Sequence, residues 1–69
     1  MHDTASQTQA VLQHLKAGRT LTALEALEQY RILRLAARIH ELRERGENIR
    51  TEMISGNGKE IARYSAGVA

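Results

Sequence analysis

A chain of 69 residues with no cysteine and a formal net charge of +2 has room for one small domain and for no disulfide, thiolate metal site or thiol nucleophile. Its apolar residues, 42% of the total, include no Phe or Trp and only Tyr30 and Tyr64 as aromatics, so any core is aliphatic. A small fold without cystine staples suits the cytoplasm. No apolar run approaches the roughly 18 residues of a membrane span, and Met1 to Ser6 lack the basic and apolar regions of a signal peptide.

Ser6 followed by Gln9 makes a capping-box pattern ahead of Ala10, Val11, Leu12 and Leu15, which predicts an amphipathic helix over 6–17 ended by Gly18. Thr22 and Glu25 repeat that pattern, with Leu21 and Ala26 in the positions of a hydrophobic staple. A second helix therefore runs from Thr22 to about Tyr30, with Leu24, Leu27 and Tyr30 turned inward. The 18–21 connector is short enough to pair as one stubby strand. Leu35, Ala36, Ile39 and Leu42 form a stripe on a third helix over 33–45, with Gly46 as its terminator. Only Arg31-Ile32-Leu33 separate the second and third helices, which is helix-turn-helix geometry.

Beyond Gly46 the period becomes two. Asn57-Gly58 is a type I′ hairpin signal, and centring the turn there sets Ser55 opposite Glu60, Met53 opposite Ala62, Glu52 opposite Arg63 and Thr51 opposite Tyr64. One face then carries Ile49, Thr51, Met53, Ala62 and Tyr64 towards the helices. The other carries Arg50 and the Glu52–Arg63 pair towards solvent, and a slip by one residue would scramble the two. The predicted fold class is mainly α with a C-terminal β-hairpin: a winged helix-turn-helix, one domain over 1–69. It is expected to be ordered over about 6–64 and frayed at 1–5 and 65–69.

The charge is unevenly spread. Residues 1–30 carry Lys16 and Arg19 against Asp3, Glu25 and Glu28, and residues 46–69 carry Arg50, Lys59 and Arg63 against Glu47, Glu52 and Glu60. Residues 31–45 carry Arg31, Arg34, Arg38, Arg43 and Arg45 against Glu41 and Glu44, more than the whole excess of +2. Arginine makes two-pronged contacts with phosphates and guanine edges. At about 100° per residue, Arg34, Arg38, Glu41 and Arg45 fall in one sector of the third helix, with Ala37 nearby, small enough to let the backbone approach bases.

Arg34 and Arg38 are the candidate base contacts, Arg31 and Arg45 the candidate phosphate contacts, and Lys59 a contact at the wing tip. The plainer alternative pairs Arg38 with Glu41 and leaves the other arginines as solvated charge. Arg43, beside the apolar stripe, is expected to lay its stem on the core. Ile54 and Ile61 oppose each other on the outward face, either shielding the hairpin or marking a self- or partner-association surface.

Catalysis finds little support. The carboxylates read as surface charge. His2, His14 and His40 lack metal-ligand spacing, with His14 assigned to the polar side of the first helix and His40 pointing away from the stripe. Gly56-Asn57-Gly58-Lys59 has neither the spacing nor the following helix of a phosphate loop. No enzyme activity, metal or cofactor is expected.

Thr22-Ala23-Leu24-Glu25-Ala26-Leu27, Arg34-Leu35-Ala36-Ala37-Arg38-Ile39 and Glu41-Leu42-Arg43, followed by Ile49, Thr51-Glu52-Met53, Gly58-Lys59 and Ala62-Arg63-Tyr64, resemble the small helix-turn-helix (winged-helix) domain family of phages and prophages. The resemblance spans most of residues 7–64. It implies a stand-alone DNA-binding protein of the regulator or excisionase-like type. Similar sequences often carry Gly in the turn where this chain has Arg31, which puts a cation at its tip.

The expected partner is double-stranded DNA, bound as a homodimer or cooperative assembly because one such module covers only ~600–1,000 Å². The alternative is an interaction module for a host or phage protein, motivated by the modest charge, the acidic wing residues and Ile54–Ile61. No membrane partner is expected.

Overall fold

The computed structural model describes residues 4–67. Its elements are α1 (Thr4–Lys16), β1 (Leu21–Thr22), α2 (Ala23–Tyr30), α3 (Leu35–Glu44), β2 (Ile49–Gly56) and β3 (Lys59–Ala66). The strands form one antiparallel sheet in the order β1-β3-β2. This is the expected winged helix-turn-helix, including the stubby strand.

Local chemistry accounts for the boundaries. At the start of α2 the Glu25 amide donates to Thr22 Oγ1 at 3.3 Å, and the Thr22 amide donates to Glu25 Oε1 at 2.9 Å. Both arms of the capping box are closed, and the staple residues Leu21 and Ala26 are fully buried. Replacing Thr22 by alanine should cost about 1 kcal/mol in a urea melt, while Thr22→Ser should restore most of it. Equal stability of all three proteins would show that the cap contributes nothing. At the end of α3 the Gly46 amide bonds Arg43 O and the Glu47 amide bonds Leu42 O, with Gly46 at φ 94°. That is a Schellman stop, which needs a residue free to adopt the left-handed region.

The core joins Val11 and Leu15 of α1, Leu21, Ala26 of α2, Ile32, Leu35, Ile39 and Leu42 of α3, and Ile49 of β2. Leu12, Tyr30 and Tyr64 pack against it. Several expectations change here. Leu24 is 63% exposed and Leu27 is also exposed, because the Leu21–Ala26 staple fixes the rotation of α2 and Leu24 lies about 160° round from Ala26. α3 begins at Leu35 rather than Leu33: Arg34 is its N-cap, at φ −126° and ψ 66°, and Leu33 stands outside the helix. α1 reaches back to Thr4, where Thr8 Oγ1 donates to Thr4 O at 2.9 Å. Ser65 and Ala66 pair with Arg50 and Ile49 instead of fraying, and the Gly67 amide donates to Asn48 O. The fraying expected for 1–3 and 68–69, and His2 with it, lies outside the described residues.

His14 is the largest correction. It is buried, with Nε2 at 2.9 Å from Thr20 O and Nδ1 at 2.7 Å from the Tyr30 hydroxyl. A carbonyl only accepts, so Nε2 carries a proton; in the neutral ring Nδ1 then accepts from Tyr30. The two rings meet edge to face, their centroids 5.6 Å apart. The ring thus ties α1 to the end of α2 and to the connector before β1.

The hairpin adopts the expected register throughout, from Ile49↔Ala66 to Gly56↔Lys59. Asn57 at φ 50° and Gly58 at φ 76° make the turn, both in the left-handed region that type I′ demands. Its inner face covers the helices only near the base. Ile49 is buried and Tyr64 packs on the core, but Met53 is 55% exposed and Thr51 is exposed. Eight residues per strand extend roughly 26 Å at about 3.3 Å each, which overruns the helical body and leaves the far half as a wing.

Candidate nucleic-acid interface

Leu35, Ile39 and Leu42 anchor α3 to the core and so fix what it presents outward. Ala36 and His40 are exposed, Ala37 is half-buried, and the His40 and Glu44 side chains keep 73% and 67% of their exposure. His40 Nε2 lies 3.5 Å from Glu44 Oε2.

The arginines divide into two groups. Arg38 Nε sits 2.7 Å from Glu41 Oε1, and its side chain is only 16% exposed. Both atoms are shielded from water without an aligned hydrogen bond, so charge and proximity hold the pair. The Arg38 Nη1 also donates to Gln7 Oε1 on α1 at 3.4 Å. The plainer sequence alternative therefore describes Arg38 and Glu41: they lie on the flank of α3 that meets α1. Arg43 donates through Nη2 to Ile49 O at 2.9 Å and to Thr51 Oγ1 at 2.7 Å. Arg43 is exposed, and its guanidinium ties the end of α3 to the start of the wing.

Arg31, Arg34, Arg45 and Lys59 are exposed and make no ion pair among the described residues. Arg31 occupies the helix-turn-helix corner at φ 58°, its amide bonded to Leu27 O at 3.0 Å. Arg34 caps the leading end of α3, and Arg45 caps the trailing end through its backbone amide. Lys59 pairs with Gly56 beside the wing turn. On the outer wing face Arg63 is occupied by Glu52, with Nε at 3.1 Å from Oε1 and Nη2 on the same oxygen. Ile54 faces Ile61 across the ladder, as expected. Ile61 folds over Gly56, where a Cβ would stand 2.7 Å from Ile61 Cδ1, so its side chain covers part of the hairpin.

A corner between α2 and α3, a free outer face on α3 and a β2–β3 wing growing from a three-stranded sheet complete the architecture, and the sequence pattern of the winged helix-turn-helix domain family matches residues 6–68. The chain belongs to that family. Membership indicates DNA binding in general. No curated protein and no solved structure gives a significant match. In this winged helix-turn-helix domain, no helix among the described residues is long and apolar enough to cross a membrane. Nor, among the described residues, is any group of three or more His, Cys, Asp or Glu placed to hold a metal ion.

Sequence reasoning passed over three groups at this surface. Leu33 is 81% exposed beside the leading end of α3. A helical wheel carried back to Leu33 already sets it about 160° from Leu35, opposite the apolar stripe, so that signal was present. Gln7 holds Arg38 across 31 residues of sequence, which no local pattern could reveal. The Arg43 tether to β2 likewise depends on how the chain turns after Gly46.

Proposed function

We propose that this domain is a sequence-preferring duplex DNA binder of the phage or prophage type, acting as a transcriptional regulator or excisionase-like accessory factor by binding rather than catalysis. The outer face of α3 enters the major groove, with Arg34 towards base edges, Arg31 and Arg45 on phosphates, and Lys59 carrying the wing to the backbone. The observation that supports this most is the placing of four exposed, unpaired cations around α3 and the wing: two at the leading end of α3, one at its trailing end and one beside the wing turn. A module of this size buries ~600–1,000 Å² of its own surface against DNA, so the reading includes a homodimer or cooperative assembly on tandem sites.

Anisotropy titrations of duplexes recovered by selection from a random pool test this directly. Three phosphate contacts predict a slope of log K against log salt near −2.7, from about −0.9 per contact. Absence of binding at low salt, or affinity indifferent to salt, would overturn the proposal.

Arg31 gives a sharper test because stability and binding should move in opposite directions. A left-handed backbone costs a non-glycine residue about 1–2 kcal/mol, part of which glycine gives back through its freer unfolded chain. Arg31→Gly should therefore stabilise the fold by roughly 0.5–1 kcal/mol in urea. The same change should flatten the salt slope by about one contact. A stabilised protein with an unchanged slope would remove Arg31 from the interface.

A second reading, a winged module that binds a host or phage protein, is favoured by the exposed Leu24 and Leu27 one turn apart on α2 and by the partly exposed Ile61 on the wing. It predicts that Ile54→Asp breaks a complex with that protein while the arginine changes leave it intact.

A further inference from the structure

We infer that the leading end of α3 reads thymine through its methyl group, using Leu33 with Ala36 and Ala37; the inference rests on α3 being the helix that enters the groove. The side chains able to reach a base edge there are few. Arg38 is held by Glu41 and Gln7, and Arg43 is held by β2, so neither guanidinium reaches outward. What remains beside Arg34 is Leu33, 81% exposed, the exposed Ala36, the half-buried Ala37 and, one turn on, His40. The first three have no side-chain hydrogen-bonding group.

The thymine C5 methyl is the apolar group that base pairs display in the major groove, beside donors and acceptors. An isobutyl group pressed on a G·C pair would strip water from those polar atoms and replace none of its hydrogen bonds. Over thymine the same group gains apolar contact. Charge decides the class of partner. Arg31 and Arg34 flank Leu33 in sequence, both exposed and unpaired, and a leucine between two free cations suits a polyanion better than the apolar face of a protein. The substrate class is thus a duplex with thymine under the leading turn, with guanine beside it for Arg34.

The probe is a duplex recovered by selection, resynthesised with deoxyuridine at one thymine at a time, so that only the methyl is lost. Wild-type affinity should fall about threefold to fivefold at one or two positions, as expected for one buried methyl, and stay level elsewhere. Leu33→Ser should weaken binding to the thymine duplex by a similar or larger factor and abolish the deoxyuridine penalty at its position. Leu33 is exposed, so the variant should keep the wild-type circular dichroism spectrum and urea midpoint. Ala37→Gly is a second, independent probe of the neighbouring contact. Failure to recover any duplex at low salt would overturn the DNA-binding proposal itself. Recovery of a duplex with no deoxyuridine penalty, or with a penalty that Leu33→Ser leaves intact, would overturn the thymine reading alone. So would a Leu33→Ser variant that binds DNA normally but loses a protein partner, since the patch would then serve that partner.

Discussion

Replacing His14 by alanine should destabilise the domain by roughly 3 kcal/mol, from a lost buried ring and two lost hydrogen bonds. A domain of this length has on the order of 3–10 kcal/mol to lose, so the variant should give up between about a third of its stability and nearly all of it. Truncation opens a cavity between α1 and α2, and it leaves the Thr20 carbonyl and the Tyr30 hydroxyl short of a partner. Two further variants separate these contributions. His14→Phe keeps most of the packing and loses both bonds, and should recover only part of the stability. Tyr30→Phe removes a single hydroxyl and should cost about 1 kcal/mol. Urea melts followed by circular dichroism decide the matter. A loss below about 0.5 kcal/mol for His14→Ala, the range of an ordinary surface change, would show that the ring is no strut.

Arg34→Ala and Arg38→Ala should behave as opposites, although the sequence ranks them together. Loss of a two-pronged arginine contact to guanine weakens specific binding by about 1–3 kcal/mol, a factor of roughly 5 to 150. Arg34 is free to make such a contact, so Arg34→Ala should fall in that range and relax the preference at one base pair. Arg38 spends its charge on Glu41 inside the protein. Arg38→Ala should leave specific affinity within about twofold and take at most about 1 kcal/mol from stability, in keeping with a partly exposed pair. Glu41→Ala should free the Arg38 guanidinium, tighten binding to DNA of any sequence and steepen the salt slope by about one contact. Titration of the three variants against a selected duplex and a scrambled one, at two salt concentrations, provides the comparison. Equal losses for Arg34→Ala and Arg38→Ala would mean that DNA opens the Arg38–Glu41 pair.

Much of the fold was legible because its signals are local. The Thr22–Glu25 capping box, the Gly46 stop and the Asn57-Gly58 turn each act within a few residues, and each is found where the pattern put it. The hairpin register follows from the turn, since a two-residue connection fixes every later pair. The rotation of α2 was misread because Leu24 and Leu27 look like core residues by composition. The staple between Leu21 and Ala26, although visible, turned a small residue inward instead. The start of α3 was placed early because no capping side chain marks it: Arg34 makes no side-chain cap bond.

At the candidate interface the sequence supplied the cations but not their employment. It determined that positive charge gathers on residues 31–45, that Arg31 stands in the corner between the second and third helices, and that a wing follows. Those are matters of order along the chain and of the 3.6- and 2-residue periods. Only the tertiary structure decided which charges are free. Gln7 reaches Arg38 from another helix, β2 takes Arg43, and β3 brings Arg63 to Glu52, so that of the cations around α3 and the wing tip Arg31, Arg34, Arg45 and Lys59 stay exposed and unpaired. The physical reason is that a helix wheel gives the direction of a side chain, whereas its availability depends on what the rest of the chain packs beside it. The net charge of +2 therefore understates the local balance, since residues 31–45 alone carry five Arg against two Glu.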